Sequence, residues 1–246
     1  MSKIVLFAGA GISAESGLAT FREVGGIWDQ FDVDEVCNIN AFKKAKEDKE
    51  KRAEIFKFYN LVKNSILKAH PNAAHYQVAN WQKKYGQDRV VILTANIDNL
   101  FEKAGCENVI HIHGDIFNMH CYACNHTWNI GEDTYNHEPR CPYCDSRLTK
   151  PNIVFFGEQA PLYETMAYHV HPKRRNTNDT LICVGTSMSV IHPTRLMPDY
   201  KRGVQYDRVL VNKDMTDLDY MFNHKYYGNA TEQLAKVDED IIKRKM

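Results

Sequence analysis

The sequence predicts an α/β fold: a parallel sheet with helices on both faces, interrupted by two insertions. Three observations lead there. Short apolar runs alternate with helical patterns, a glycine-rich turn follows the first run, and two Cys-x-x-Cys pairs sit in the second half of the chain. Strands covered on both faces read as continuous apolar runs rather than alternating ones, which is what a parallel sheet requires.

The first run is 4–8, and others follow at 89–94, 109–112, 152–156, 180–184 and 208–211. These belong to a core of about 1–39, 88–116 and 151–246 within one domain of 1–246, a length that can bury a full apolar interior. The first insertion, about 40–87, is largely helical. Ile55, Phe58, Tyr59, Val62 and Ile66 fall at helical spacing among Lys, Glu and Ala over 41–68, and His70-Pro71-Asn72 separates this pattern from a second helix at 73–85. The second insertion spans about 117–150, and the tail at 231–245 reads as a terminal helix.

Gly9, Gly11 and Ala14 match G-x-G-x-x-[G/A] directly after the first run. Small residues at those positions permit a tight turn, close backbone approach to a pyrophosphate and close helix packing. A plain glycine-rich turn between a core strand and a core helix has the same spelling. No second strand ending in Asp or Glu follows about twenty residues on, and 23–40 reads as irregular, so a nucleotide bound here is held in a non-standard way.

The chain contains seven cysteines, an odd number that favours metal over disulfides. Cys121-x-x-Cys124, sixteen residues, then Cys141-x-x-Cys144 has the spacing of a four-thiolate zinc ribbon, with Gly131, Pro139 and Pro142 supplying turns. Four sulfur ligands close the coordination shell, so one zinc ion is expected to be structural. His120, His126 and His137 lie close enough in sequence to replace a cysteine. Cys183 reads as a core residue, and Cys37 and Cys106 carry no readable role.

Ligands of such sheets bind beyond the carboxyl ends of the strands. There the chain places Asn96-Ile97-Asp98, His113-Gly114-Asp115, Gly185-Thr186-Ser187 and Asn212. Each has an ordinary reading alone, Asp98 as a helix N-cap, Thr186 and Ser187 as turn residues, His113 as a buried hydrogen-bonded histidine. Together they outline a polar region.

Formal net charge is zero, which removes any global electrostatic drive towards nucleic acid or an anionic membrane. The basic stretch at 171–175 lacks the interleaved aromatics of a nucleic-acid groove. No apolar run approaches a bilayer-spanning length, and the first run begins three residues after Met1, so a cytoplasmic protein without a targeting peptide is expected.

The ordered set 9–17 (GAGISAESG), Thr20-Phe21-Arg22, Asn96-Ile97-Asp98, His113-Gly114, the two Cys-x-x-Cys pairs, 154–158 (VFFGE), Gly185-Thr186-Ser187 and Asn212 resembles the sirtuins over nearly the whole chain, most closely bacterial and phage-encoded members. The resemblance implies a Rossmann-like sheet with a small domain of helical insertion plus zinc ribbon. It also implies an NAD-consuming protein-lysine deacylase: the acyl oxygen of an N-ε-acyl-lysine peptide attacks C1′ of the nicotinamide ribose, a histidine removes a ribose hydroxyl proton, and the acyl group ends on ADP-ribose. By position His113 is that base, and an imidazole suits it because its unperturbed pKa lies near neutrality. Carried over in the same way, Gly9, Ala10, Gly11, Ile12, Ser13, Phe21, Arg22, Asn96, Ile97, Asp98, Gly185, Thr186, Ser187 and Asn212 are NAD contacts. Tyr59, Val154, Phe156, Gly157 and Val190 are substrate contacts, with a peptide adding as a strand. Ala95 departs from the family, which has glutamine there; a looser cofactor ribose would favour the alternative outcomes, ADP-ribosyl transfer to protein or NAD hydrolysis. Members acting on succinyl- and malonyl-lysine carry tyrosine and, three residues on, arginine; here these are Tyr59 and Val62, with Val24 narrowing the pocket, so neutral acyl groups are expected.

Overall fold

The computed structural model describes residues 2–20, 30–45, 48–136, 139–171, 178–197 and 206–246. Phe21, Arg22, Val24, His137 and most of the 171–175 stretch lie outside them. In chain order the strands are β1 Ile4–Ala8, β2 Val90–Thr94, β3 Ile110–His111, β4 Gly114–Cys121, β5 Thr127–Asn129, β6 Thr149–Ile153, β7 Thr180–Val184, β8 Asp207–Asn212 and β9 His224–Tyr227. The helices are α1 Val33–Val36, α2 Ile39–Lys44, α3 Lys49–Lys68, α4 Ala73–Tyr85, α5 Leu100–Lys103, α6 Tyr163–Val170, α7 Pro193–Leu196 and α8 Ala230–Val237.

Two compact units result, one of Met1–Leu18, His70–Ile112 and Pro161–Met246, the other of Ala19–Ala69 and His113–Ala160. The first holds a six-stranded sheet in the order β3-β2-β1-β7-β8-β9, parallel throughout. Its residues alternate between two apolar layers. Ile4, Leu6, Ile92, Ile182 and Val209 meet Trp81 and Leu234 on one face, while Val5, Phe7, Leu93, Leu181 and Leu210 meet Met166 and Leu196 on the other. Sealing both faces is why the centres of these strands are apolar on both sides, without polar alternation. The α4 end of the first layer is pinned by Trp81 Nε1, which donates to Asp238 Oδ1 at 2.8 Å.

One expectation needs correction at this level, and one strand was not anticipated. The run at 152–156 is not a strand of the parallel sheet: β6 stops at Ile153 and pairs antiparallel with β4 in a separate three-stranded sheet, β5-β4-β6. The sixth parallel strand is β9, His-Lys-Tyr-Tyr, whose alternating exposure marks an edge with one wet face. No apolar run announces such a strand.

The second unit is built around α3, which starts at Asp48, whose carboxylate caps Glu50 and Lys51 N–H. Its buried face contains the expected Ile55, Phe58, Tyr59 and Ile66, and also Arg52 and Lys63. Those cations are buried because their heads reach backbone oxygens: Arg52 Nη2 donates to Arg147 O at 2.8 Å and Lys63 Nζ to Asp133 O at 2.5 Å. Asn60 adds a reciprocal pair with the Tyr135 backbone, at 3.0 and 2.7 Å. A helix that reads as merely amphipathic is thereby stitched to the cysteine-rich segment.

Candidate functional site

In the parallel sheet the chain order reverses between β1 and β7, so the loops leaving these two strands lie at a topological switch point, where open α/β sheets bind ligands. After β1 the backbone makes two 3-10 turns, Ala10–Ile12 and Ala14–Ser16, ending at Gly17 with φ +83°. After β7 comes Gly185 with φ +60°, and the two loops interlock. Gly11 N–H donates to Gly185 O at 2.8 Å, and a Cβ on Gly185 would stand 2.3 Å from Ile12 N. A Cβ on Gly9 would meet Gly185 O at 2.7 Å. These glycines are needed for loop against loop as well as for any approach of phosphate.

The end of β2 joins the same place. Asn96 Nδ2 donates to Gly9 O at 3.1 Å and to Ser13 Oγ at 3.3 Å, and Ser13 Oγ donates to Asp98 Oδ2 at 3.0 Å. Asp98 Oδ1 accepts Leu100 N–H at 3.0 Å, just inside α5, so the helix-capping reading is part of its role. All three side chains are buried. Burial pushes the Asp98 carboxyl above the usual carboxylate range, opposed by its bonds from Leu100 and Ser13. From β8, Asn212 Nδ2 donates to Thr186 O at 3.1 Å, and Thr186 Oγ1 accepts Met188 N–H at 3.0 Å. The first unit thus brings together 9–13, Asn96, Asp98, Gly185, Thr186 and Asn212. The Ser187 hydroxyl lies 2.9 Å from Ser189 Oγ, and Val190 is exposed in the same unit.

His113 opens the second unit and is half-buried. Its carbonyl accepts Val154 N–H at 2.8 Å. Gly114 follows with φ +77°, where a Cβ would fall 1.8 Å from Asn152 O, so only glycine lets β4 begin beside β6. Val154, Phe156 and Gly157 lie just beyond β6. Phe156 pairs with Asn38 as an isolated bridge, donating to Cys37 O at 2.7 Å and accepting from Ile39 N at 3.0 Å. Tyr59 is buried beneath this segment, stacked on Phe155 with centroids 5.4 Å apart, its hydroxyl donating to Cys37 Sγ at 3.4 Å. Burial pushes the Cys37 thiol up to about 11, so it is a packing thiol rather than a nucleophile.

The four cysteines of the paired motifs gather with their sulfurs within 4.8 Å of one another. Cys121 and Cys144 sulfurs are 3.7 Å apart, and those of Cys124 and Cys141 are 3.5 Å apart. A tetrahedral zinc with bonds of about 2.3 Å needs sulfurs roughly 3.8 Å apart, so the donor set fits. Two equivalent knuckles produce it. In each, the first cysteine N–H donates to the carbonyl five residues on (His126, Ser146), and the residue after the second cysteine (Asn125, Asp145) is left-handed and returns its N–H to the first cysteine's carbonyl. Asn and Asp tolerate that conformation best among residues with a side chain. His126 instead stacks on Tyr143 at 4.3 Å, and His120 Nδ1 lies 3.2 Å from Thr127 Oγ1.

Residues 9–192 match the Sir2 family. The chain belongs to that family. An NAD-dependent protein deacylase of Campylobacter jejuni subsp. jejuni serotype O:2 is 37% identical to it over 244 residues, covering 98% of this chain and 96% of its own. A crystal structure of a Sir2 homologue in complex with NAD aligns with a TM-score of 0.82 at 29% identity, covering 99% of this chain and 91% of that one. A Sir2 protein bound to acetylated peptide aligns with a TM-score of 0.75 at 27% identity, covering 97% and 92%.

Within this Sir2 chain, sequence reasoning missed two residues that hold the first loop. Glu15 caps α8, its carboxylate accepting Thr231 N–H at 3.1 Å and Thr231 Oγ1–H at 2.7 Å. Asn72 caps α4 and donates Nδ2 to Ile12 O at 2.8 Å and Ser16 Oγ at 3.0 Å. The Pro-Asn pair before a helix was the available signal for Asn72; nothing local signals Glu15.

Proposed function

We propose that the chain is an NAD-dependent protein-lysine deacylase that moves the acyl group of an N-ε-acyl-lysine peptide to ADP-ribose with release of nicotinamide. The observation that carries this is the Ser13-Asn96-Asp98 network at the switch point, in a chain of the Sir2 family. In this reading Gly9, Ala10, Gly11, Ile12, Ser13, Asn96, Ile97, Asp98, Gly185, Thr186, Ser187 and Asn212 hold NAD, which is consumed as co-substrate, with Phe21 and Arg22 completing the set. Asn96 and Asp98 orient the nicotinamide end through hydrogen bonds that are already formed. His113 accepts a proton from a ribose hydroxyl. The Val154–Gly157 segment and Val190 offer backbone to an extended acyl-lysine peptide, with Tyr59 beneath the acyl group. One structural zinc is held by Cys121, Cys124, Cys141 and Cys144.

The test is incubation with an acetyl-lysine peptide and NAD, with mass spectrometry of peptide, protein and nucleotide products. Free lysine peptide with O-acetyl-ADP-ribose is the expected result. ADP-ribosylated protein, or free ADP-ribose with the acetyl peptide intact, would overturn it in favour of transfer to protein or NAD hydrolysis, the outcomes to which Ala95 bears.

A further inference from the structure

The ends of the Val154–Gly157 segment meet a buried ion pair. Lys150 is 3% exposed, and its Nζ lies 3.1 Å from Glu158 Oε2. The ammonium sits 4.4 Å from the centre of the Phe155 ring and donates to the carbonyls of Pro151, at 3.4 Å, and Ile153. Glu158 closes the other side: Oε2 accepts Phe155 N–H at 2.5 Å, and Glu158 N–H donates to Phe155 O at 3.0 Å. Burial pulls the Lys150 ammonium down to about 7 and pushes the Glu158 carboxyl up, so each charge is costly without the other. The pair therefore opposes any rearrangement of 150–158 that would separate them.

Glu158 has a second oxygen, and Tyr122 uses it. The Tyr122 hydroxyl donates to Glu158 Oε1, while Tyr122 N–H donates to Leu148 O at 2.8 Å. Tyr122 stands between Cys121 and Cys124, inside the first knuckle. Lys43 Nζ lies 5.7 Å from the centre of the same ring. A continuous run of bonds thus joins the cysteine knuckle, Tyr122, the carboxylate and the backbone of 153–158. Phe156 and Gly157, at the crest of that backbone, are exposed.

We propose that Glu158 is a positioning residue for acyl-peptide binding, locking 154–157 in its extended shape on Lys150 and tying that shape, through Tyr122, to the first cysteine knuckle. This rests on the reading that 154–157 pairs with the peptide. It explains why a closed, non-catalytic metal centre would matter for substrate: the knuckle carries a side chain that ends on the substrate segment's anchor.

The test compares the full-length wild type with Glu158→Gln, Tyr122→Phe and the double variant Lys150→Met/Glu158→Gln. Labelled acetyl-lysine peptide binding by anisotropy is measured alongside KM for peptide and for NAD, with zinc content per chain. Glu158→Gln is expected to weaken peptide binding and raise peptide KM about tenfold or more, with NAD KM within about twofold and zinc unchanged. Tyr122→Phe should move peptide binding the same way by a smaller factor. The double variant removes both buried charges, and if the carboxylate positions the segment it should regain stability without regaining peptide affinity. Wild-type peptide affinity in Glu158→Gln or in a folded double variant would overturn the proposal, as would an equal rise in both KM values. A wild-type protein that binds no acyl peptide would instead overturn the underlying reading.

Discussion

His113 follows Ile112, whose N–H is bonded to Thr94 O at 2.8 Å, and precedes a glycine that no other residue can replace, so the backbone carrying the imidazole is held on both sides. That arrangement suits the proposed role of His113 as the base. His113→Ala is expected to lower deacylation by about 10²–10⁴ with thermal stability retained, because general-base catalysis is worth that range. Near wild-type kcat/KM in the variant would remove His113 from the base role. A second expectation concerns the acyl group. The Tyr59 hydroxyl is directed to Cys37 Sγ, Val62 has no donor, and the neighbouring Lys63 ammonium is committed to Asp133 O, between the rings of Phe117 and Tyr135. A carboxylate on the acyl chain would find no guanidinium fork among these residues. Acetyl-lysine should therefore exceed succinyl-lysine in kcat/KM on one peptide by about tenfold or more, from the roughly 1.5–3 kcal/mol of a charged hydrogen bond. A succinyl preference would show that another cation serves the pocket.

At the scale of elements, the N-terminus of α4 carries a pH-dependent contact. His75 is fully buried in a capping box, its Nδ1 accepting Asn72 N–H at 3.3 Å, with its ring edge-on to Phe101 at 5.0 Å. Burial lowers its pKa to about 4. The folded chain therefore resists a proton that the unfolded chain accepts below about 6.5. Stability contributed by neutral His75 is whole above that value and is lost as pH falls towards about 4, amounting to about 3 kcal/mol at full loss. Denaturant unfolding of wild type and His75→Gln across pH 4–7 should show this slope in the wild type and its absence from the variant; equal slopes would mean His75 does not titrate in that window. The loop of 9–17 hangs on this same helix end through Asn72, and on α8 through Glu15. Two helix caps, rather than the loop's own bonds alone, hold the strand-end turn.

At the scale of the molecule, the two units have separate sources of order. The parallel sheet is sealed by apolar layers on both faces, whereas the segment from β4 to β6 is a three-stranded sheet joined by thiol knuckles. Binding energy in a thiolate zinc site is folding energy. Chelation is therefore expected to abolish deacylation and to release hydrogen-exchange protection in 114–153, while β1, β2, β7 and β8 keep theirs. Exchange that is unchanged after metal removal, or a protein purified with no zinc, would contradict the four-cysteine assignment. Among the described residues no helix is long and apolar enough to cross a membrane.

The apolar runs of β1, β2, β7 and β8 were legible because burial on both faces makes the centre of each strand apolar, with polar residues confined to the strand ends, and the cysteine pairs were legible because a knuckle is a local structure set by spacing. Asn96, Asp98, Gly185 and Asn212 could be listed as strand-end residues for the same reason. What sequence could not supply was which distant groups meet. The run at 152–156 is apolar, yet Ile153 ends a strand antiparallel to β4 and the next residues leave it to bond with Cys37, Ile39 and Glu158. β9, His-Lys-Tyr-Tyr, pairs through its backbone and has no apolar run, which hid it. Nothing in the sequence marks Lys63, Lys150 and Glu158 as buried, because a charge is tolerable inside only when the fold supplies it with a specific oxygen or counter-ion. Local patterning therefore determined the central strands of the parallel sheet, the glycine turn and the cysteine knuckles. Tertiary structure alone decided the interlocked glycines, the bond from Asn72 to the first loop and the capping role of Glu15, since each depends on contacts between residues far apart in sequence.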